Sequence, residues 1–515
     1  MGNTCNLYAA LRAAFPPELD GIAVEVADGP RAGARYTWRE LDHGSAAIAN
    51  LLSSLELPAG ARVAAQLDKS VESLMLYLAV LRSGCVYLPL NNAYQAGEVV
   101  YFFENAAPSV VVCPSRTLAW MQPMAVRLAI AHVFTLDDDG QGTLMDLSSG
   151  QSNVHTPAVT EANDAAAILY TSGTTGRSKG AVLSHGNLQS NAVVLKDYWD
   201  WRAGDVLIHA LPIFHAHGLF VACHGALLNG SPMVWFNKFE PRAVIARLAE
   251  ATVFMGVPTL YVRLLEDVTL TTAACASMRL FISGSAPLLQ ETFSQWKQRT
   301  GHTILERYGM SETVMLTSNP CRPEDGERVG GTVGFPLPGV GLRVRDDRGV
   351  EVAAGEIGQI QVKGPNVFSG YWKMPEKTAE EFTSDAWFKT GDVGVVDGQG
   401  RVTIVGRTKD LIISGGYNVY PAEIESWINE MPAVQESAVI GVMHPDFGEA
   451  VVAVLVPRAG ALAPKPGDVV NALKLRIANF KIPKAVFVVD ELPRNAMGKV
   501  QKNLLREQHK LLFNV

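Results

Sequence analysis

No stretch of this 515-residue chain reaches the roughly 20 consecutive apolar residues that span a bilayer, so the sequence predicts no helical membrane span. The N-terminus has no basic region leading into an apolar one, and no secretory leader is expected. Gly2 is followed by Asn6 where myristoylation needs Ser or Thr. Cysteine is sparse: six residues, at 5, 85, 113, 223, 275 and 321, with no paired spacing. That argues against a disulfide framework or a zinc site, and leaves reduced thiols in a cytoplasmic protein as the expectation. Positive charge is in deficit, 44 Lys and Arg against 51 Asp and Glu, for a net charge of −7. Neither a general nucleic-acid binder nor a membrane-surface protein is expected from that balance. Internal repeats are missing too, and 460–467 is only a Pro/Ala-rich loop. What remains, 48% apolar and 18% charged, is the composition of an ordinary globular protein too long for one core.

The most informative segment is 170–180, YTSGTTGRSKG. It follows the apolar run 165–169, so a strand feeds directly into hydroxyls and glycines. Backbone N–H groups there have no ladder partner and can wrap an anion, phosphate above all. Gly173, Gly176 and Gly180 let backbone approach closely, and Lys179 adds a point charge. The common P-loop, GxxxxGK[ST], is absent, because Arg177 and Ser178 stand between Gly176 and Lys179. A flexible surface loop is the plain alternative.

Over 36–134 helical apolar patterns alternate with short strands, at 51–55, 63–67, 71–82 and 110–113. The rhythm returns with a strand at 206–211, a helix at 242–250, a strand at 279–283 and a helix from Leu288 stopped by Gly301. Residues 355–400 change to period-two alternation with glycine turns, predicting hairpins and a small β subdomain. Beyond lie helices at 422–430 and 468–480 and strands at 451–456 and 485–489. The expected fold class is α/β: a large N-terminal domain of layered α/β subdomains plus the small β subdomain, over 1–408. A small mobile α+β domain is expected over 409–515.

Four further segments follow in order: YGMSET at 308–313, TGD at 390–392, GRTKD at 406–410 and PRNAMGKVQK around Lys499. Glu312, on a loop at the end of a strand-like 303–306, can ligate Mg²⁺. Asp392, after a strand, can accept from ribose hydroxyls, and Arg407 supplies a cation nearby. Taken singly, each is more often a solvated surface charge.

Together with GSAP at 284–287, these strings resemble the AMP-forming acyl- and aryl-CoA synthetases of the adenylate-forming superfamily, over nearly the whole chain. The resemblance implies ATP and coenzyme A as co-substrates and Mg²⁺ as cofactor. It implies that Thr171, Ser172, Gly173, Thr174, Thr175, Gly176 and Lys179 hold phosphates, with Thr171 counted among the catalytic residues. Gly284, Ser285, Ala286, Pro287, Glu306, Tyr308 and Gly309 would line the nucleotide site. Ser311 stands where the family usually has Thr beside the α-phosphate. Asp392 and Arg407 would hold ribose, Lys409 would be the hinge, and Gly415 and Gly416 would form the pantetheine tunnel. Lys499 would be catalytic with Glu312 in adenylation, and its exposure invites control by acylating and deacylating enzymes.

The residue before YG borders the acyl pocket in this family and is commonly small; here it is Arg307. A buried guanidinium needs an anionic partner, and Arg binds carboxylate in bidentate fashion. Arg263 is a second candidate, or else a helix-surface residue paired with Glu266 or Asp267. His215 and His217 offer polar contacts or belong to the core; Ser283 and Met310 complete the candidate acid site, Met310 otherwise serving as packing. The strings HxHGLF, GVPTxYxR, SGSAPL and ERYGM resemble the malonate-activating members of the family, so malonate, or its methyl analogue, is the expected acid. Three alternatives remain: a ligase for a neutral short acid, an enzyme loading a carrier protein (no fused carrier domain is expected), and a non-catalytic nucleotide-binding regulator.

Overall fold

The computed structural model describes residues 5–171, 178–414, 417–495 and 498–513. They divide into two compact units, one of residues 1–341 and 363–388, the other of 342–362 and 389–515.

The first unit holds two large sheets. One runs Gly370–Tyr371, Lys179–Ser184, Ala165–Thr171, Val86–Pro89, Arg62–Ala65, Val110–Cys113, His132–Thr135. Its central strands pair in parallel and are apolar along their length, as strands covered on both faces must be. Helix Val71–Arg82 is buried at every position and starts in a Ser70–Ser73 capping box. Segment 51–55 lies at the end of helix Trp38–Ser54, which begins with a Thr37–Glu40 box. The other sheet runs Phe335–Pro336, Val314–Ser318, Leu305–Met310, Leu280–Ser283, Val253–Gly256, Leu207–His209, Met233–Trp235, Ile22–Val26, Arg35–Thr37. Tyr261, Trp296, Phe281 and Phe254 fill the core against it.

The second unit has a four-stranded sheet, Gly341–Arg345, Gly358–Lys363, Phe388–Val396 and Val402–Arg407. Its five-stranded sheet is built around Val434–His444 and Gly448–Pro457, paired antiparallel over almost their whole length. Helices Pro421–Asn429 and Pro466–Lys474 cover one face, each with Pro in its first turn, where a missing N–H costs nothing.

Three expectations change. Residues 355–400 are not hairpins alone, since helix Pro375–Glu381 is set among them, again opened by proline. The helix expected over 468–480 stops at Lys474, and a 3-10 turn at Asn479–Lys481 follows. Pro483 excludes helical backbone at Ile482, which is extended. Finally, the strand expected to end at Glu306 continues through Met310 and pairs with Val314–Ser318. Among the described residues, no helix is long and apolar enough to cross a membrane.

Candidate active site

Strands Ala165–Thr171 and Lys179–Ser184 run antiparallel with Thr171 opposite Lys179, so they bracket the Gly/Ser/Thr loop. Ser172, Gly173, Thr174, Thr175 and Gly176 lie outside the described residues. The Lys179 ammonium sits 3.1 Å from Glu381 and 4.3 Å above the ring of Tyr371. The Tyr371 hydroxyl donates to Glu312 Oε1 at 3.0 Å. Burial, then the Glu312 carboxylate, push the Tyr371 phenol well above its ordinary pKa, so it stays a donor. Lys179 and Glu312, far apart in sequence, thus meet on one tyrosine. Tyr371 and Glu381 carried no signal beyond an aromatic after Gly370 and a run of helix-forming charges.

Glu312 lies in the tight turn between Leu305–Met310 and Val314–Ser318, not in a loop after a terminated strand. At Gly309 a Cβ would stand 1.9 Å from the Val314 carbonyl oxygen, so only glycine fits. Val314 adopts φ +56, rare for a β-branched residue and a store of strain. The surroundings over-determine it. Asn366 Nδ2 donates to the carbonyls of Thr313 (2.8 Å) and Met315 (2.9 Å), and Asn191 Nδ2 to Met315 at 2.8 Å. The Phe368 N–H donates to the Glu312 carbonyl at 2.8 Å. Two asparagines that sequence reasoning passed over therefore hold the predicted metal ligand in place.

Arg307, two residues before that turn begins to tighten, is only 3% exposed. Among the described residues, its Nε and Nη2 have no hydrogen-bond partner. Burial draws its pKa well below the ordinary guanidinium value, to about 9. A Cβ at Gly284 would fall 2.5–2.7 Å from Nη1, Cζ and Nε, so the guanidinium lies against a bare α-carbon. Ser283 Oγ, fully buried, and His217 Nε2 are also unpartnered. His217 Nδ1 is 3.3 Å from Ser285 Oγ. Burial and then the Arg307 charge hold the His217 pKa far below its usual value, so the ring is neutral. Buried polar groups are nearly always paired; Arg307 departs from that rule at two nitrogens of one guanidinium, with the neutral His217 ring close enough to feel its charge.

Glu306 points elsewhere: its Oε1 accepts from the Leu288 N–H at 3.0 Å, bracing the end of the loop that carries Gly284, Ser285, Ala286 and Pro287. Burial raises its carboxyl to about 8. Tyr308, Met310 and Ser311 are half-buried on the strand and turn, and His215 is half-buried beside Phe214. Arg263 does not join Arg307. It is exposed in the last turn of Pro258–Glu266, its guanidinium 5.0 Å above the Phe239 ring.

In the second unit Asp392 lies inside strand Phe388–Val396, opposite Arg407 on Val402–Arg407, with Arg407 Nε 3.2 Å from Asp392 Oδ1. The sequence had put Asp392 after a strand; Gly391, at φ +72, lets the strand continue through TGD. Lys409 is exposed in the turn Thr408–Asp410. Lys499 is exposed, between Gly498 at φ +73 and Val500, which bridges to Arg494. Gly415 and Gly416 lie outside the described residues.

Comparison with known proteins places this geometry in context. The model of the AMP-binding enzyme family matches residues 17–372, and that of the AMP-binding enzyme C-terminal domain matches 423–499. MatB from Rhodopseudomonas palustris, solved with ATP bound, is 51% identical, with a TM-score of 0.95 over 99% of this chain and 100% of that one. The malonate–CoA ligase of Arabidopsis thaliana is 34% identical over 87% of this chain and 78% of its own length. A feruloyl-CoA synthase from Amycolatopsis is 34% identical over 92% of this chain and 94% of its own.

Proposed function

The chain belongs to the AMP-binding enzyme family, and from that membership we propose that it ligates malonate to coenzyme A through a malonyl-AMP intermediate, releasing AMP and pyrophosphate. One observation carries the choice of acid: a guanidinium buried beside Gly284 with two nitrogens unpartnered. A neutral acid would leave that charge bare. A dicarboxylate gives it a carboxylate in bidentate geometry, leaving the second carboxylate to react.

In the first half-reaction the free carboxylate oxygen attacks the α-phosphorus of ATP and pyrophosphate leaves. In the second a thiolate attacks the acyl carbon and AMP leaves. Negative charge gathers on the phosphoryl oxygens in the first step, and fixed cations there stabilise the transition state. Lys179 and Thr171, flanking the phosphate loop, are the proposed phosphate contacts, and Lys499 the proposed cation of adenylation. Asp392 and Arg407 are proposed for ribose, and Gly284, Ser285, Ala286, Pro287, Tyr308, Gly309 and Ser311 for the rest of the nucleotide. Mg²⁺ is proposed at Glu312, a single buried carboxylate held by Tyr371; such an ion is commonly bound by one or two carboxylates plus phosphates, and it would neutralise phosphate charge. Lys409 remains the proposed pivot between half-reactions. The cytoplasm is the proposed compartment, on the strength of six free cysteines.

Purified protein given ATP, Mg²⁺, malonate and free CoA is expected to yield malonyl-CoA, AMP and pyrophosphate in equal amounts by mass spectrometry and phosphate assay. Pyrophosphate release without thioester, restored only by a carrier protein, would refute the CoA assignment.

A further inference from the structure

Lys69 is 9% exposed, just ahead of helix Val71–Arg82, and none of the roles above uses it. Its ammonium donates to His209 Nδ1 at 2.8 Å, to the His209 carbonyl at 2.9 Å and to the Phe236 carbonyl at 2.7 Å. It also lies 4.2 Å above the Trp235 ring. Three acceptors match the three hydrogens of an ammonium. Burial draws the group down to about 7, with the Asp28 carboxylate acting the other way; hydrogen-bond acceptors and an aromatic face also favour a charged ammonium.

A proton donated to Nδ1 obliges neutral His209 to carry its own hydrogen on Nε2. That nitrogen lies 2.9 Å from the Gly218 carbonyl, to which it donates, and 3.3 Å from Cys223 Sγ. Burial pushes the Cys223 thiol up to about 12, so it stays neutral. Both contacts fall on the π-helix His217–Cys223, a widened turn of the kind frequent at functional sites. The turn is seated hard: a Cβ at Gly218 would stand 2.1 Å from the Pro212 carbonyl oxygen. The residue beside Gly218 is His217, whose ring bonds Ser285 and feels the Arg307 charge.

We propose that Lys69 is a positioning residue for the acid cavity: its ammonium fixes the His209 tautomer, and that imidazole, through the Gly218 carbonyl, sets the His217 wall facing Arg307. The role rests on the acid-site reading above. It explains why a lysine is buried among neutral acceptors in the unit that binds the acid.

Lys69→Met and the pair His209→Leu and His209→Gln test it, by initial rates with malonate and with ATP varied separately. Gln keeps an N–H donor near the Nε2 position; Leu does not. Lys69→Met and His209→Leu are expected to raise KM for malonate about tenfold or more, as loss of a buried polar partner does. KM for ATP and kcat should stay within about threefold, and His209→Gln should stay near wild type. An unchanged malonate KM, or malonate and ATP KM values rising together, overturns the proposal. If Lys69→Met does not fold, the His209 pair decides, and equal effects of Leu and Gln overturn it. Wild-type preference for malonate over acetate is measured alongside. Its absence would strike the acid-site reading itself, whereas silent variants in a malonate-selective enzyme strike only Lys69.

Discussion

Replacing Arg307 by Met should make the ligand-free protein more stable while destroying its use of malonate. The structure buries the guanidinium at 3% exposure with Nε and Nη2 unpaired. Drawing it down to about 9 corresponds to an unfavourable burial of about 5 kcal/mol as an upper bound. Local relaxation and water reduce that figure, and apolar replacements of buried ions typically gain about 1–4 kcal/mol. Met fills similar volume without a charge. Thermal unfolding of both proteins should therefore show the variant's transition higher by a few degrees without ligand, about 1–2 °C per kcal/mol for a unit this large. Adding malonate should raise the wild-type transition and leave the variant's unmoved. A variant less stable than wild type without ligand, or one still stabilised by malonate, would refute the reasoning, because the charge would then already be satisfied by the protein.

Lys499→Ala should lose malonyl-AMP formation by about 10²-fold or more yet keep thioester formation from supplied malonyl-AMP; equal loss in both half-reactions removes Lys499 from the adenylation step. Tyr371→Phe removes a hydroxyl bonded to a carboxylate, a contact of about 1.5–3 kcal/mol. The Mg²⁺ needed for half-maximal rate should rise about 10- to 100-fold with malonate KM unchanged, and an unaltered Mg²⁺ requirement would count against that coupling. Glu306, raised from 4.5 to about 8, keeps a proton in the native state that the unfolded chain loses. Its contribution to stability therefore falls as pH climbs from about 4.5 to about 8. Glu306→Gln should flatten the melting temperature over pH 5–8, and a slope like wild type's would show that another group sets it.

The sequence was readable where one local rule decides the outcome. Continuous Val-rich runs such as Val110–Cys113 can only be covered strands, and Pro at a first turn marks helix starts such as Pro421–Asn429. Strand Val434–His444, the longest in the second unit, was missed because its apolar middle lacks strict alternation; tertiary pairing with Gly448–Pro457 decides it. The tight turn at Glu312 was hidden because Gly309 and Val314 reveal their role only when the two strands meet. Arg307 was visible as an odd residue before YG, but its lack of partners was not. Arg263 stood as a second candidate in the string GVPTLYVR, with a place on the helix surface as its alternative, and its exposure beside Phe239 follows from which helical face packs. Tyr371, Glu381, Asn191, Asn366 and Lys69 act through long-range contacts that no local pattern announces.

The central claim is that a buried positive charge selects a doubly charged acid. The ratio of kcat/KM for malonate to that for acetate, in the wild-type protein at saturating ATP and CoA, tests it most directly. A ratio of about 10⁴ is predicted, since a site built to pair a charged group rejects the analogue lacking it. A ratio within about tenfold of unity would contradict the account.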